Sequence, residues 1–338
     1  MQLHIDSYGA YWGVQDGVFV VKPLEQEAVL LAPAKVKTIF LCKGARVSSD
    51  ALALAIANEI PVFLVQKNGR VLGQMWSAAY GSVSTIRKHQ ALFAGHIQGL
   101  IWTKEVLIQK VRNQQTVLTN LEHQKCFETW QQQLAVSKGH EILEGVLAKF
   151  GNWQAEKDIR SLKEIGATFR GWEGSASKQY FFCLSQVLPK QYEFRKRHRR
   201  PAYDPFNAVI NYLYGILYAL VETSLIKAGI DPYVGVLHTD RYSKPTLVYD
   251  VIEYYRYWAD EVALQVCLQQ KVRLQEHFDK TDRDGLWLNG VGKKVLLGTF
   301  TEYMDTAVVQ QNMKRKRYTH IDIDANRLAT LFKFFSVT

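Results

Sequence analysis

The chain has 338 residues, 47% of them hydrophobic and 22% charged, which excludes a disordered chain and fits a globular protein of one or two domains. Lys and Arg number 42 against 32 Asp and Glu, a formal net charge of +10 that suits either a polyanionic partner or a merely soluble basic surface. Cys42, Cys126, Cys183 and Cys267 lie far apart with no C-x-x-C pair, which argues against a zinc ribbon or a disulfide framework and for buried free thiols.

In chain order, residues 1–11 carry His4 and Asp6 and no apolar leader segment, so a cytoplasmic protein is expected. Residues 10–14 and 18–21 read as strands around Gln15-Asp16-Gly17, a hairpin signal because Asp-Gly accepts the positive φ of a tight turn. Residues 36–41 form a β-branched run. Ser49 is placed to cap a helix reaching Asn58, with Leu52, Ala55 and Ile56 along one face. Residues 61–65 and 71–75 flank Asn68-Gly69, a second hairpin. Residues 1–76 thus read as a small β-rich domain and the small-residue stretch 77–84 as a linker.

Residues 85–338 carry helical spacing. Phe93, Ile97, Leu100, Ile101, Leu107, Ile108 and Val111 predict one long amphipathic helix. The spacing continues through residues 118–130, 142–150, 175–188, 206–227, 245–267 and 292–311. The apolar stretch 206–220 is interrupted by Asn207 and Asn211, which predicts a buried core helix and no membrane span. The expected class is α+β: a small β-rich N-terminal domain, then a larger, mostly α-helical catalytic domain.

Several polar residues stand out on that frame. Glu173 is placed at the opening of a helix, with Ser177 and Tyr180 on its face, and can be read as a metal ligand or as a charge on a helix N-terminus. Asp204-Pro205 is a helix start, and Asn207 and Asn211 are expected to tie down neighbouring loops. His238 ends an apolar run. Asp250 and Glu253 follow on one helix at a spacing that sets two like charges together unless a cation compensates. One imidazole with two or three carboxylates in a basic chain is a kit for metal-assisted chemistry on a phosphodiester. A solvated acidic face paired with Arg256 and Arg241 is the alternative. The basic run at 195–200, with Arg195, Arg197, Arg199 and Arg200, suits phosphate contacts, whereas the run at 314–317 suits them less.

Four strings then carry a resemblance: Gly171-Trp-Glu-Gly-Ser-Ala-Ser-Lys-Gln-Tyr-Phe181, Arg199-Arg-Pro-Ala-Tyr-Asp-Pro-Phe-Asn207, Asp231-Pro-Tyr-Val-Gly-Val-Leu-His238 and Leu247-Val-Tyr-Asp-Val-Ile-Glu-Tyr-Tyr-Arg256. In order and spacing they resemble the motifs of the CRISPR-associated endonuclease/integrase family spoken of as Cas-one. The resemblance implies Glu173, His238 and Glu253 as ligands of Mg2+ or Mn2+, with Asp250 also important to the site. It implies a homodimer that inserts captured DNA fragments into a CRISPR array by attack of a 3′-hydroxyl, working with a small ferredoxin-like companion, Cas-two. Lys178 stands where an arginine is common in the family. Lys178, Arg195, Arg197, Arg199, Arg200 and Arg256 are the expected DNA contacts. A purely hydrolytic metal nuclease and a non-catalytic basic DNA-binding protein are the competing classes.

Overall fold

The computed structural model of the protein describes residues 2–24, 26–36, 38–65, 71–75, 83–124, 127–154, 162–238, 244–280 and 285–336. Its contacts divide the chain into two compact units, Met1–Val83 and Ser84–Thr338.

The first unit contains, in order, β1 (Gln2–Ile5), β2 (Tyr11–Gln15), β3 (Val18–Lys22), β4 (Val29–Leu31), β5 (Thr38–Cys42), β6 (Arg46–Val47), α1 (Ser49–Ala57), β7 (Val62–Val65) and β8 (Val71–Met75). They build two four-stranded sheets, ordered β1-β5-β7-β8 and β4-β3-β2-β6. In the first sheet β1, β5 and β7 run parallel, and all five residues of β5 are buried. A parallel strand covered on both faces reads as a continuous apolar run, which is how it appears in the sequence. The expected Asp16-Gly17 hairpin is present, with φ of 50° and 75° at the two turn residues. β7 and β8 pair antiparallel, but the Asn68-Gly69 turn expected between them lies outside the described residues, as do residues 77–82 of the expected linker. The helix cap moves by one residue: Ser48, not Ser49, accepts the Ala51 amide. The face that packs is made of Ala51 and Ala55, with Leu52 and Ile56 only partly buried. Small side chains let α1 lie close on a core of Trp12, Phe19, Ile39 and Val62.

The second unit is mainly helical: α2 (Val83–Ala94), α3 (Ile97–His123), α4 (Trp130–Asn152), α5 (Leu162–Val187), α6 (Pro205–Lys227), α7 (Thr246–Val251), α8 (Arg256–Leu268), α9 (Leu274–His277), β9 (Phe278–Lys280), β10 (Leu286–Leu288), α10 (Gly290–Asp305), β11 (Ala307–Gln310), β12 (Met313–Lys316) and α11 (Arg317–Phe334). The chain is therefore α+β as expected, strands first and helices after. At the centre lies α6, started by the Asp204 carboxylate accepting the Asn207 amide at 2.7 Å, with Pro205 in the first turn. Phe206, Val209, Ile210, Leu213, Leu217, Val221 and Leu225 are fully buried on it, against α8, α10 and α11. By length and composition α6 could cross a membrane, but its burial makes it the core helix that residues 206–220 predict.

Several elements depart from the sequence expectation. The single helix expected from Phe93 to Val111 is two, broken at Gly95, where the His96 ring takes the N-cap of α3 by accepting the Gln98 amide. The spacing across residues 118–130 spans the end of α3 and the Thr129 capping box that starts α4. The stretch 245–267 is not one helix: α7 tightens into a 3-10 turn, Ile252–Tyr254, before α8 begins. The stretch 292–311 is α10 followed by strand β11, which turns back as β12 through Gln311 and Asn312, both at positive φ. Cys42, Cys183 and Cys267 are buried, as expected; Cys126 lies outside the described residues.

Candidate active site

Glu173 does not open a helix. It sits inside α5, so stabilisation by a helix N-terminus is removed as a reason for its presence. One turn on, the Ser177 hydroxyl donates to Glu173 Oε1 at 2.7 Å, as the expected shared face requires. Gln114 of α3 donates to the Ser177 hydroxyl at 3.2 Å. The same carboxylate oxygen takes an ion pair and hydrogen bond from Lys110 Nζ, also on α3.

Lys110 then joins Glu173 to Glu253. Its Nζ lies 2.7 Å from Glu253 Oε2, and Arg256 Nε lies 2.9 Å from the same oxygen. Glu253 is carried by the 3-10 turn after α7, and α3 holds that turn through Asn113, whose amide donates to the Tyr254 carbonyl at 2.8 Å. The Lys110 side chain is only 11% exposed and that of Glu253 7%. Burial works against the Glu253 carboxylate, but Arg256 and then Lys110 outweigh it and hold its pKa down at about 2. Burial likewise opposes the Lys110 ammonium, yet Glu253 and Glu173 raise it above the ordinary lysine value. Despite two cations nearby, Glu253 Oε2 receives no well-directed hydrogen bond from the described residues.

Asp250 has a different task. It is fully buried and accepts the backbone amides of Val236 at 2.6 Å, Leu237 at 3.0 Å and His238 at 3.0 Å. Its Oδ1 also lies 2.6 Å from His238 Nδ1. Burial pushes its carboxyl upward, and these donors pull it back. A carboxylate at Nδ1 favours a proton on that nitrogen, which in a neutral ring makes Nε2 the lone-pair atom; the side chain is 44% exposed. The two acids three residues apart therefore serve different partners, and neither lies on a solvated acidic face: Asp250 shapes the histidine loop, while Glu253 meets Glu173 through Lys110.

Arg256 is deeply placed as well. Its Nη2 donates to the Tyr218 hydroxyl at 2.7 Å, and its guanidinium lies 4.8 Å from the Tyr214 ring centre. Behind it Asp260 accepts the Tyr214 hydroxyl at 2.6 Å and the Tyr180 hydroxyl at 2.9 Å. Arg197 is also committed inside the protein, bonded to Asn207 and, at 2.9 Å, to Asn211. The two asparagines tie down residues 196–199 as expected: Asn207 donates to the Lys196 carbonyl, and Asn211 to the carbonyls of His198 and Arg199 at 2.8 Å each. This clamp leaves Arg195, Arg199 and Arg200 exposed, and Lys178 is exposed on α5.

The site residues thus come together as two pairs, Glu173 with Glu253 and His238 with Asp250. Among the described residues no group of three His, Cys, Asp or Glu stands close enough to hold a metal ion. The donor chemistry nevertheless fits a hard divalent cation. Two ionisable carboxylates already converge on one cationic group, the buried Glu253 Oε2 has no directed donor, and the imidazole is held in the tautomer that ligates. Lys110 is the residue that sequence reasoning missed. A signal was there: Lys110, Asn113 and Gln114 put polar groups beside the apolar stripe of Leu107, Val111 and Leu118.

The fold and this arrangement define a two-unit protein with a cluster of paired carboxylates and cations in a basic chain. The family described as CRISPR associated protein Cas1 matches residues 3–302, and the chain belongs to that family. The CRISPR-associated endonuclease Cas1 1 of Archaeoglobus fulgidus is 29% identical over 313 residues, 90% of this chain and 89% of the relative. Among solved structures, a casposase bound to integration product covers 98% of this chain and 95% of its own, with TM-score 0.68 and 19% identity. The chain in a Cas6-RT-Cas1–Cas2 complex matches at TM-score 0.71 and 20% identity, over 98% of this chain and 35% of that one. At such identities the structural likeness is one of fold.

Proposed function

We propose that the protein is a divalent-metal-dependent DNA endonuclease and integrase that joins the 3′-hydroxyl of a captured DNA fragment to a CRISPR array. The observation that carries the reading is the convergence of Glu173 and Glu253, from separate segments, on a single, largely buried cationic group, together with a histidine held by its own carboxylate, Asp250. The relative from Archaeoglobus fulgidus is named an endonuclease, and the casposase of similar fold was captured with an integration product, which supports the same chemistry here.

Glu173, Glu253 and His238 would hold Mg2+ or Mn2+. Held by these residues, such an ion would supply Lewis-acid polarisation of the scissile phosphate and charge neutralisation at the leaving oxygen. The rest is the work of the chain itself. Arg256 and Lys110 keep Glu253 ionised far below neutral pH, so its oxygens are available whenever DNA is. Asp250 holds the imidazole proton at Nδ1 and keeps Nε2 free to ligate. Lys178, Arg195, Arg199 and Arg200 steady the phosphate backbone, while Arg197 and Arg256, committed internally, support the site from behind. No serine or tyrosine nucleophile is needed, and no covalent enzyme–DNA intermediate is expected.

The working form is expected to be a homodimer; the Cas1–Cas2 assembly of similar fold supports a small Cas2-type companion. Short duplexes with free 3′-hydroxyls, a supercoiled CRISPR plasmid, the protein and its companion should give joined strands in Mg2+ or Mn2+. Dideoxy termini should eliminate joining, and alanine at Glu173, His238 or Glu253 should abolish it in a folded protein. Cleavage without any joined strand would instead point to a hydrolytic nuclease. Full activity in all three variants would sink the site assignment.

A further inference from the structure

The four charged groups linked at the centre of the site, Glu173, Glu253, Lys110 and Arg256, cancel to zero. That balance sets a problem for metal uptake. Two carboxylates facing one another without a cation, Glu253 buried and Glu173 23% exposed at its side chain, would repel strongly, and here the cation between them is covalently part of α3. A divalent ion added to a neutral cluster leaves two positive charges uncompensated in a poorly solvated place. Arg256 is fixed by the Tyr218 hydroxyl and packed against Tyr214, and a guanidinium does not give up its proton. Lys110 is different. Its ammonium ends a flexible four-carbon stem, and its ion pairs among the described residues are with the two glutamates.

We infer that the Lys110 ammonium occupies the cation seat between Glu173 and Glu253, and that a divalent ion enters by displacing it. This inference rests on the metal reading of Glu173 and Glu253 given above. Lys110 acts as an exchangeable internal counter-ion that keeps the carboxylates paired in the metal-free protein and competes with the metal for them. Displacement leaves an excess of positive charge that phosphodiester anions cancel. The metal therefore binds weakly to the free protein and more tightly when DNA is present, so the loaded site is assembled where there is a substrate to act upon.

The test is a titration of the full chain with Mn2+, read by electron paramagnetic resonance of the free ion, on wild type, Lys110→Met and Glu173→Gln. Lys110→Met should bind Mn2+ about tenfold or more tighter than wild type without DNA, because its competitor is gone. It should also melt at a lower temperature in EDTA and regain stability with Mn2+. In wild type, acetylation of lysines read by mass spectrometry should find Lys110 protected in EDTA and reactive in Mn2+. This second measurement decides the matter if Lys110→Met does not fold. Unchanged or weaker Mn2+ binding in folded Lys110→Met, or equal Lys110 protection with and without Mn2+, overturns the exchange. In that case loss of Mn2+ binding in Glu173→Gln would leave the metal site itself standing. Absence of saturable Mn2+ binding in both wild type and Lys110→Met overturns the exchange and the metal reading together.

Discussion

Two aspartates ten residues apart show how environment assigns different work to one side chain. Asp250 accepts three backbone amides and a histidine, so its charge is met by donors. Asp260 accepts the hydroxyls of Tyr180 and Tyr214, and burial pushes its pKa up to about 6, against the pull of those two bonds and of the charges on Arg197 and Arg256. The sign of the consequence follows from proton counting. Between the unfolded value near ~4 and the folded value, the native state holds a proton that the unfolded chain has lost, so stability falls as pH rises through this window. Comparing wild type with Asp260→Asn by urea unfolding at pH 4 and pH 6.5 should reveal a loss about 2 kcal/mol greater in wild type. Equal pH slopes in the two proteins would mean that Asp260 is ionised across the range.

At the scale of elements, the site depends on segments that are not regular helix. The loop carrying His238 includes Gly235, where an added Cβ would lie 2.5 Å from the His238 carbonyl and 2.8 Å from Thr246 Cβ. Backbone cannot yield as a flexible side chain does, so Gly235→Ala should shift the loop and loosen the amides that Asp250 gathers. DNA joining is expected to fall by about a hundredfold with the protein still folded, checked by single-turnover joining and circular dichroism. Much of the element order was legible because its signals are local: the Asp16-Gly17 turn, the Asp204-Pro205 start and the apolar period of α6 each act within a few residues. What escaped was long-range. Nothing near Ile252 announces that the helix tightens there, because the turn answers to partners of Glu253 and Asp250 that are distant in sequence. Positive φ at Gln311 and Asn312 needs no glycine in this turn, so the β11–β12 hairpin had no dipeptide flag. Of the site, the acids and the histidine were readable from their motifs. Lys110 lies 63 residues from one partner, and only the packing of α3 on α5 brings it there.

Across the whole molecule, the net charge of +10 is unevenly committed. Arg197, Arg256 and Lys110 are consumed internally, and Lys316 pairs with Asp305 at 2.9 Å. Arg317 lies 3.7 Å from the Tyr303 ring centre, so the second basic run is partly occupied as well. Lys178, Arg195, Arg199 and Arg200 remain exposed. Neutralising these four together should flatten the dependence of log affinity on log salt by about 0.9 for each residue that touches a phosphate. Filter binding at several salt concentrations reads the slope directly; an unchanged slope would move the DNA path elsewhere.

The burial of α6 also bears on how the chain is made. Its packing partners α8, α10 and α11 are all encoded after it, and α11 ends about a hundred residues beyond. At ordinary synthesis rates a helix greasy enough for a bilayer waits roughly 5 to 20 s for its last cover. During that interval the ribosome-bound chain is a client for chaperones and a target for the insertion machinery. The polar Asn207 and Asn211 at its leading end, which elsewhere clamp the basic loop, make that segment a poorer substrate for misdirection into a membrane.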